Sequence, residues 1–205
     1  MLYYNTIEPA TLELLKKLMS VSMLAPLRLV GGTALALHTG HRNSVDIDLF
    51  GKLEVQEHEI SDLLKQTGKL NHISKSANIN IYTINDIKVD IVNYNYPWLD
   101  PVFEDQSLRL AGLKDIAAMK LAAITGRGTK KDFIDLFFLL DFFSLKQMLD
   151  FYSEKYNDGS EAIVIKSLTY FGDADPEVAP LMYKHTDWEN IKQEIRNQVK
   201  KTFKL

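Results

Sequence analysis

Two aspartates one residue apart, Asp46 and Asp48, lie in the stretch Ser44-Val45-Asp46-Ile47-Asp48-Leu49-Phe50. Side chains at i and i+2 of a strand point to one side. A strand over 45–50 therefore projects both carboxylates together and sends Val45, Ile47 and Leu49 into the core. Two like charges about 5–7 Å apart repel by roughly 2–3 kcal/mol at an effective dielectric near 20. A fold that sets them side by side needs a cation or a shared proton there. Mg²⁺ takes oxygen ligands of this kind and keeps phosphate and water as its other ligands. Upstream, Leu29-Val30 runs into Gly31-Gly32, and thirteen residues separate Gly32 from Asp46. That spacer holds about two and a half helical turns and a return. A helix N-terminus offers free N–H groups, and glycine lets a phosphate approach the backbone. Taken alone, a glycine pair reads as a tight strand-to-helix turn; Asp-x-Asp at this distance favours the phosphate reading.

Further carboxylates and cations fall in two places. Asp90 is a lone carboxylate in Ile87-Lys88-Val89-Asp90-Ile91-Val92, a strand otherwise apolar enough to be central. It either pairs with a neighbour on a sheet edge or joins the first two as a third ligand, as two-metal phosphoryl transfer uses. Lys120 lies one turn after Ile116 and one turn before Ile124, so it projects from the apolar stripe of its helix. A buried ammonium without an anion is costly, so Lys120 meets a buried carboxylate or faces a cleft that receives an anion. Arg127 follows in a short basic loop, and Asp132 and Asp135 share a face of the next helix. Spacing alone leaves two readings: an ion-pair network joining two helices, or Lys120 and Arg127 on phosphates with Asp132 orienting a base or taking a proton.

The string Gly31-Gly32, spacer, Asp-Ile-Asp resembles the signature of the nucleotidyltransferase superfamily that includes DNA polymerase beta. With Arg42 and Ser44 just before it, and with "AMKLAAITGRGTKKDFIDLFFLL" downstream, it is more particularly similar to the AbiEii family of abortive-infection nucleotidyltransferase toxins. The two blocks together span about residues 12–140. The resemblance implies an α/β (α+β) nucleotidyltransferase-fold mixed-sheet core over 1–110 and a helical C-terminal domain over 111–205. It implies that Asp46, Asp48 and Asp90 bind Mg²⁺ and that Lys120 and Asp132 are needed for activity, with Asp135 less certain. It places an NTP against Gly31, Gly32, Thr33, Arg42, Ser44, Lys120 and Arg127. Many superfamily members have Gly-Ser where this chain has Gly31-Gly32; Thr33 is the hydroxyl available instead. The implied reaction moves an NMP to an acceptor, with tRNA the acceptor for some members and an antitoxin protein as partner. The alternatives are a transferase acting on a small molecule or a protein hydroxyl, or a catalytically silent binding member of the fold.

The elements expected to position these groups follow from periodicity and breakers. Helices are expected over Thr6–Met23, Thr33–Thr39, Val55–Thr67, Leu113–Thr125, Lys130–Phe143, Leu145–Tyr156 and Ser160–Phe171. Strands are expected over Leu27–Val30, Val45–Phe50, Leu70–Ser74, Asn78–Ile84 and Ile87–Asn93, with Asn85-Asp86 as a hairpin turn. Tyr94–Gln106 reads as an irregular connector anchored by aromatics. A capping box at Thr186–Glu189 starts a last helix. On it, Lys192, Arg196, Lys200 and Lys204 form a basic stripe, either a solvated face or a contact for an RNA backbone. Among 205 residues there is no cysteine, and the formal net charge is −3. This excludes a disulfide scaffold, a thiolate metal site and a strongly basic nucleic-acid coat protein. Met1–Pro9 does not read as a secretory signal, and Phe133–Phe143 is too short to span a bilayer. A cytoplasmic protein is expected.

Overall fold

The computed structural model describes residues 1–54, 57–76 and 78–204. Among these residues, seven strands form one mixed sheet: β1 (Arg28–Leu29), β2 (Ile47–Gly51), β3 (Leu70–Lys75), β4 (Ile79–Ile84), β5 (Ile87–Asn93), β6 (Phe103–Asp105) and β7 (Leu108–Leu110). Their order is β3-β4-β5-β2-β1-β7-β6. β2 runs parallel to β5 and antiparallel to β1. The β4–β5 hairpin turns at Asn85 and Asp86, both at positive φ (51° and 66°). Asparagine and aspartate tolerate that region, so the expected turn forms where the sequence places it.

Among the described residues, eight α-helices flank the sheet: α1 (Pro9–Met19), α2 (Gly31–Thr39), α3 (Glu57–Lys65), α4 (Leu113–Gly126), α5 (Lys130–Leu139), α6 (Leu145–Lys155), α7 (Glu161–Ser167) and α8 (Trp188–Phe203). Helix α2 packs on α4 and α5, and α4 packs on α6 and α7. Leu29, Ile47, Leu49, Val89, Ile91, Leu121 and Phe133 belong to one continuous buried cluster. None of the described helices is long and apolar enough to cross a membrane.

Several expected boundaries move, each for a local reason. α1 is shorter than Thr6–Met23, because Pro9 takes the first helical position and a separate 3₁₀ turn occupies Tyr4–Thr6. The expected start of α3 at Val55 lies outside the described residues. α5 stops at Leu139 and not at Phe143, since Ser144 caps α6 by accepting from the Gln147 N–H. The cap of α8 is Asp187, one residue after the Thr186 that the capping-box pattern points to.

The connector after β5 is not irregular throughout, because β6 and β7 form a hairpin within 103–110 and β7 pairs in parallel with β1. Three-residue strands carrying Glu104 and Asp105 leave no alternating pattern to read. Its aromatics do anchor it. Both the Arg28 guanidinium (4.4 Å) and the Lys155 ammonium (4.7 Å) lie over the Trp98 ring. Fully buried Lys155 donates to Pro97 O (2.6 Å) and Asp115 (2.7 Å). Asp115 in turn accepts the backbone N–H groups of Leu99 and Asp100.

Candidate active site

The parallel register of β2 and β5 pairs Asp48 with Asp90 directly, so these carboxylates stand side by side on one face of the sheet. Val30 N–H donates to Asp48 O, and the chain then turns through Gly31 at φ +68° into α2. A Cβ at Gly31 would lie 2.2 Å from Asp48 Oδ2. That glycine thus serves two needs at once: a left-handed backbone and room for the Asp48 carboxylate. Burial pushes the Asp48 carboxyl up to about 6, with Asp90 and Asp46 adding to the rise and Lys88 and Lys120 opposing it. Asp90 receives the Lys88 ammonium on Oδ2 (2.6 Å). Its Oδ1 is buried with no hydrogen-bond partner among the described residues.

Asp46 sits differently from the expectation. β2 begins at Ile47, and the chain before it turns aside: Ser44 N–H donates to Thr6 O, and Ser44 bridges Ile7. Val45 is consequently 47% exposed, not in the core. Thr33 is fully buried, donates its hydroxyl to Asp46 O, and meets Ser44 Oγ at 2.8 Å. The Asp46 side chain stands at the rim, with Lys131 Nζ 3.8 Å away. Among the described residues no three His, Cys, Asp or Glu side chains converge tightly enough to hold a metal ion alone. The Asp48–Asp90 pair nevertheless fits a divalent ion. It offers an unpartnered oxygen and a carboxylate strained by a like charge, leaving other ligands to a phosphate or water.

The second group lies across the cleft. Lys120, on α4, is 4% exposed and reaches Asp132 Oδ1 (3.1 Å) and Asp135 Oδ2 (2.5 Å) on α5. Arg127 grips Asp132 with two donors, Nε to Oδ2 (2.9 Å) and Nη2 to Oδ1 (3.1 Å). Asp132 is also the third helical residue of the α5 capping box, whose N-cap is Thr129, and it accepts from Thr129 Oγ1 at 2.6 Å. Arg42 forks onto Asp135 through Nε (2.7 Å) and Nη2 (2.8 Å), and His41 Nε2 contacts the same carboxylate (2.8 Å). A Cβ on Gly32 would lie 2.2 Å from Arg42 Nη2, so the second glycine makes room for this guanidinium. Burial works against both charged carboxyls. Even so, Lys120, Arg127 and Thr129 hold Asp132 well below the usual carboxylate range, and Arg42, Lys120 and His41 do the same for Asp135. Neither is a proton acceptor near neutral pH; both are fixed anions that aim cations. Burial lowers the His41 imidazole, against the pull of Asp135.

These groups line two hollows that share Asp48, Lys120 and Arg127. A polar cleft of about 300 Å³ contains Asp46, Lys88 and Lys131 as well. An apolar pocket of about 360 Å³ is walled by Phe50, Met119 and Tyr156, with Asp90 at its edge. Asp46, Asp48, Gly32, Ser44, Arg42, Lys120 and Arg127 therefore meet at one cleft. Gly31 and Asp90 border the adjoining pocket, while Thr33 and Asp132 sit behind the walls. Sequence reasoning missed three contributors. Lys88 is two residues from Asp90 on the same strand face, and that spacing is its signal. Lys131 is one of the lysines before Asp132. The Pro180–Leu181 rim is held by Leu181 O accepting from Asn43 N–H, a contact that leaves no mark in the sequence.

The basic stripe on α8 is only partly a free face: Lys200 and Lys204 are exposed, but the first half turns inward. Lys192 is buried, pairing with Asp175 (2.9 Å) and Glu189 (2.8 Å). Arg196 lies over the Phe171 ring, 5.0 Å from its centroid. Lys192 and Arg196 are drawn inward beside the buried Ile191, Ile195 and Val199.

Comparison with known proteins gives the family and the fold. The family described as "Nucleotidyl transferase AbiEii toxin, Type IV TA system" matches residues 13–204. An uncharacterized protein of Aquifex aeolicus (strain VF5) is 34% identical over 194 residues, covering 92% of this chain and 93% of that protein. Among solved structures, MenT4, a nucleotidyltransferase toxin of Mycobacterium tuberculosis H37Rv, superposes with a TM-score of 0.65 at 13% identity, covering 96% of this chain and 82% of that one. JHP933 from Helicobacter pylori gives 0.59 at 19% identity, over 97% and 94%. At such identities the two structures speak for the fold. The family match, spanning nearly the whole chain, shows that this protein belongs to the AbiEii family of nucleotidyltransferase toxins of toxin–antitoxin systems, and that it is a nucleotidyltransferase.

Proposed function

We propose that this enzyme transfers an NMP from an NTP to an RNA acceptor in a Mg²⁺-dependent reaction, with tRNA the first acceptor to test. We further infer that it acts in the cytoplasm, where a cognate antitoxin protein restrains it. One observation carries the reading: Asp48 and Asp90 stand side by side, next to the Gly31-Gly32 turn, opposite the Lys120 and Arg127 cations. Asp48 and Asp90, with Asp46 at the rim, would hold the metal. When bound, Mg²⁺ neutralises the charge on the phosphates and polarises the α-phosphorus.

The residues of the chain do the rest, mostly by positioning and charge. Asp132 aims Arg127 at the triphosphate. Lys120 has three N–H donors; two serve Asp132 and Asp135, and the third is available to a phosphate oxygen. Arg42 acts through Asp135, and Thr33 and Ser44 act through the backbone of Asp46, so all three are positioning residues. The nucleoside lies in the apolar pocket by Phe50 and Tyr156. The acceptor hydroxyl attacks the α-phosphorus, its proton passes to Asp90, the bond to the leaving oxygen breaks, and pyrophosphate departs. On this reading residues 1–110 supply the carboxylates and the glycine turn, and residues 111–205 supply the facing cations.

The test is incubation with each α-labelled NTP, Mg²⁺ and either total tRNA or protein extract. Label on RNA, lost with Asp48→Asn, is the expected outcome. Label on protein alone, or on neither, refutes the RNA assignment.

A further inference from the structure

Lys88 has no part in the chemistry described so far, yet it occupies the carboxylate face. Ile47 pairs with Val89 and Asp48 with Asp90, and one residue back along the two chains lie Asp46 and Lys88. As the i−2 neighbour of Asp90 on one strand, Lys88 points to the same side of the sheet. Its ammonium meets Asp90 Oδ2 at 2.6 Å, and it lines the polar cleft with Asp46 and Asp48. Its side chain is 41% exposed, against 17% for Asp90. The lysine therefore reaches in from solvent on a flexible stem and leaves without unpacking the core. What it covers is one oxygen of the carboxylate whose other oxygen has no partner among the described residues.

An ammonium on Asp90 and a divalent ion on the Asp48–Asp90 pair repel each other. The phosphates of an arriving nucleotide offer the ammonium a competing anion a few ångströms away. We propose that Lys88 is a positioning residue that couples metal loading to nucleotide arrival. It neutralises Asp90 while the cleft is empty, which weakens divalent binding to the bare protein, and it moves onto the triphosphate when nucleotide and metal enter together. The inference rests on the metal reading given above for Asp48 and Asp90, and it assigns Lys88 a task that a plain surface ion pair lacks.

The test is Mn²⁺ binding to the nucleotide-free protein, followed by water-proton relaxation, for the wild type, Lys88→Met, Lys88→Arg and Asp48→Asn. Removing one unit charge about 6 Å from a doubly charged ion, even at the dielectric of water, tightens binding about tenfold. Lys88→Met is thus expected to bind Mn²⁺ about tenfold more tightly than the wild type, with Lys88→Arg close to the wild type and Asp48→Asn weaker. Mn²⁺ binding that Asp48→Asn weakens but Lys88→Met leaves unchanged or weaker overturns the role of Lys88 alone. Mn²⁺ binding indifferent to Asp48→Asn, or absent from every variant, overturns the metal reading and this inference with it.

Discussion

Asp135 joins the two halves of the site and is the residue whose loss the fold should feel most. It is fully buried and satisfies three groups: Arg42 through two hydrogen bonds, His41 through one, and Lys120 through a 2.5 Å ion pair. Arg42 and Lys120 are themselves 4% exposed in their side chains. Asp135→Ala therefore leaves a guanidinium buried without its anion, and leaves the Lys120 ammonium with Asp132 alone. Breaking a buried pair by removing one partner costs about 3–5 kcal/mol. For a chain of this length 1 kcal/mol shifts the melting temperature by about 2–4 °C, so the expected drop is about 6–20 °C. Asp46→Ala is the matched control: a rim carboxylate whose cation lies at 3.8 Å, expected within about 0.5 kcal/mol of the wild type. Differential scanning calorimetry and urea unfolding read both. An Asp135→Ala protein melting within about 2 °C of the wild type would mean that the network is not what holds α5 against the Arg42 loop.

Gly31→Ala places a Cβ against Asp48 Oδ2 on a left-handed backbone; a non-glycine residue there costs about 1–3 kcal/mol. Loss of NMP transfer with a native circular dichroism spectrum is expected, and a fully active Gly31→Ala contradicts the close approach of Asp48. The pH dependence has two opposite parts. Asp132 and Asp135 are held low, so their contribution is present above the unfolded carboxylate value near 3.9 and lost as pH falls through their lower folded values. Asp48 is raised to about 6, so its protonated form favours the fold at low pH, and that advantage declines as pH rises from about 4 through 6. Urea midpoints between pH 4.5 and 7.5 should show this decline in the wild type and not in Asp48→Asn; parallel profiles for the two proteins would remove Asp48 as its source.

The carboxylate strand was legible because its signal is periodic. Ile47 and Leu49 are buried, Asp48 and Asp90 share a face, and the diglycine turn stands beside them. The α4–α5 block was legible as a dilemma: Lys120 on an apolar stripe needed an anion, and the fold supplies Asp132 and Asp135 together. What the sequence did not reveal depends on contacts between distant segments. Nothing near Val45 announces that Ser44 will pair with Thr6 and turn the strand start outward. Nothing in the glycine pair says that Gly31 makes room for Asp48 and Gly32 for Arg42. The α8 stripe has the spacing of a solvated face, but Asp175 and Phe171, from the preceding loop, claim Lys192 and Arg196.

The central claim is that Asp48 and Asp90 together grip the ion against which a nucleotide triphosphate reacts. Crystals soaked with Mn²⁺ and a non-hydrolysable NTP test it directly. An anomalous Mn²⁺ peak is expected within coordination distance of oxygens from both Asp48 and Asp90 and from the triphosphate, with Lys120 and Arg127 facing the phosphates. A peak elsewhere, or a triphosphate seated away from the Gly31-Gly32 turn, contradicts it.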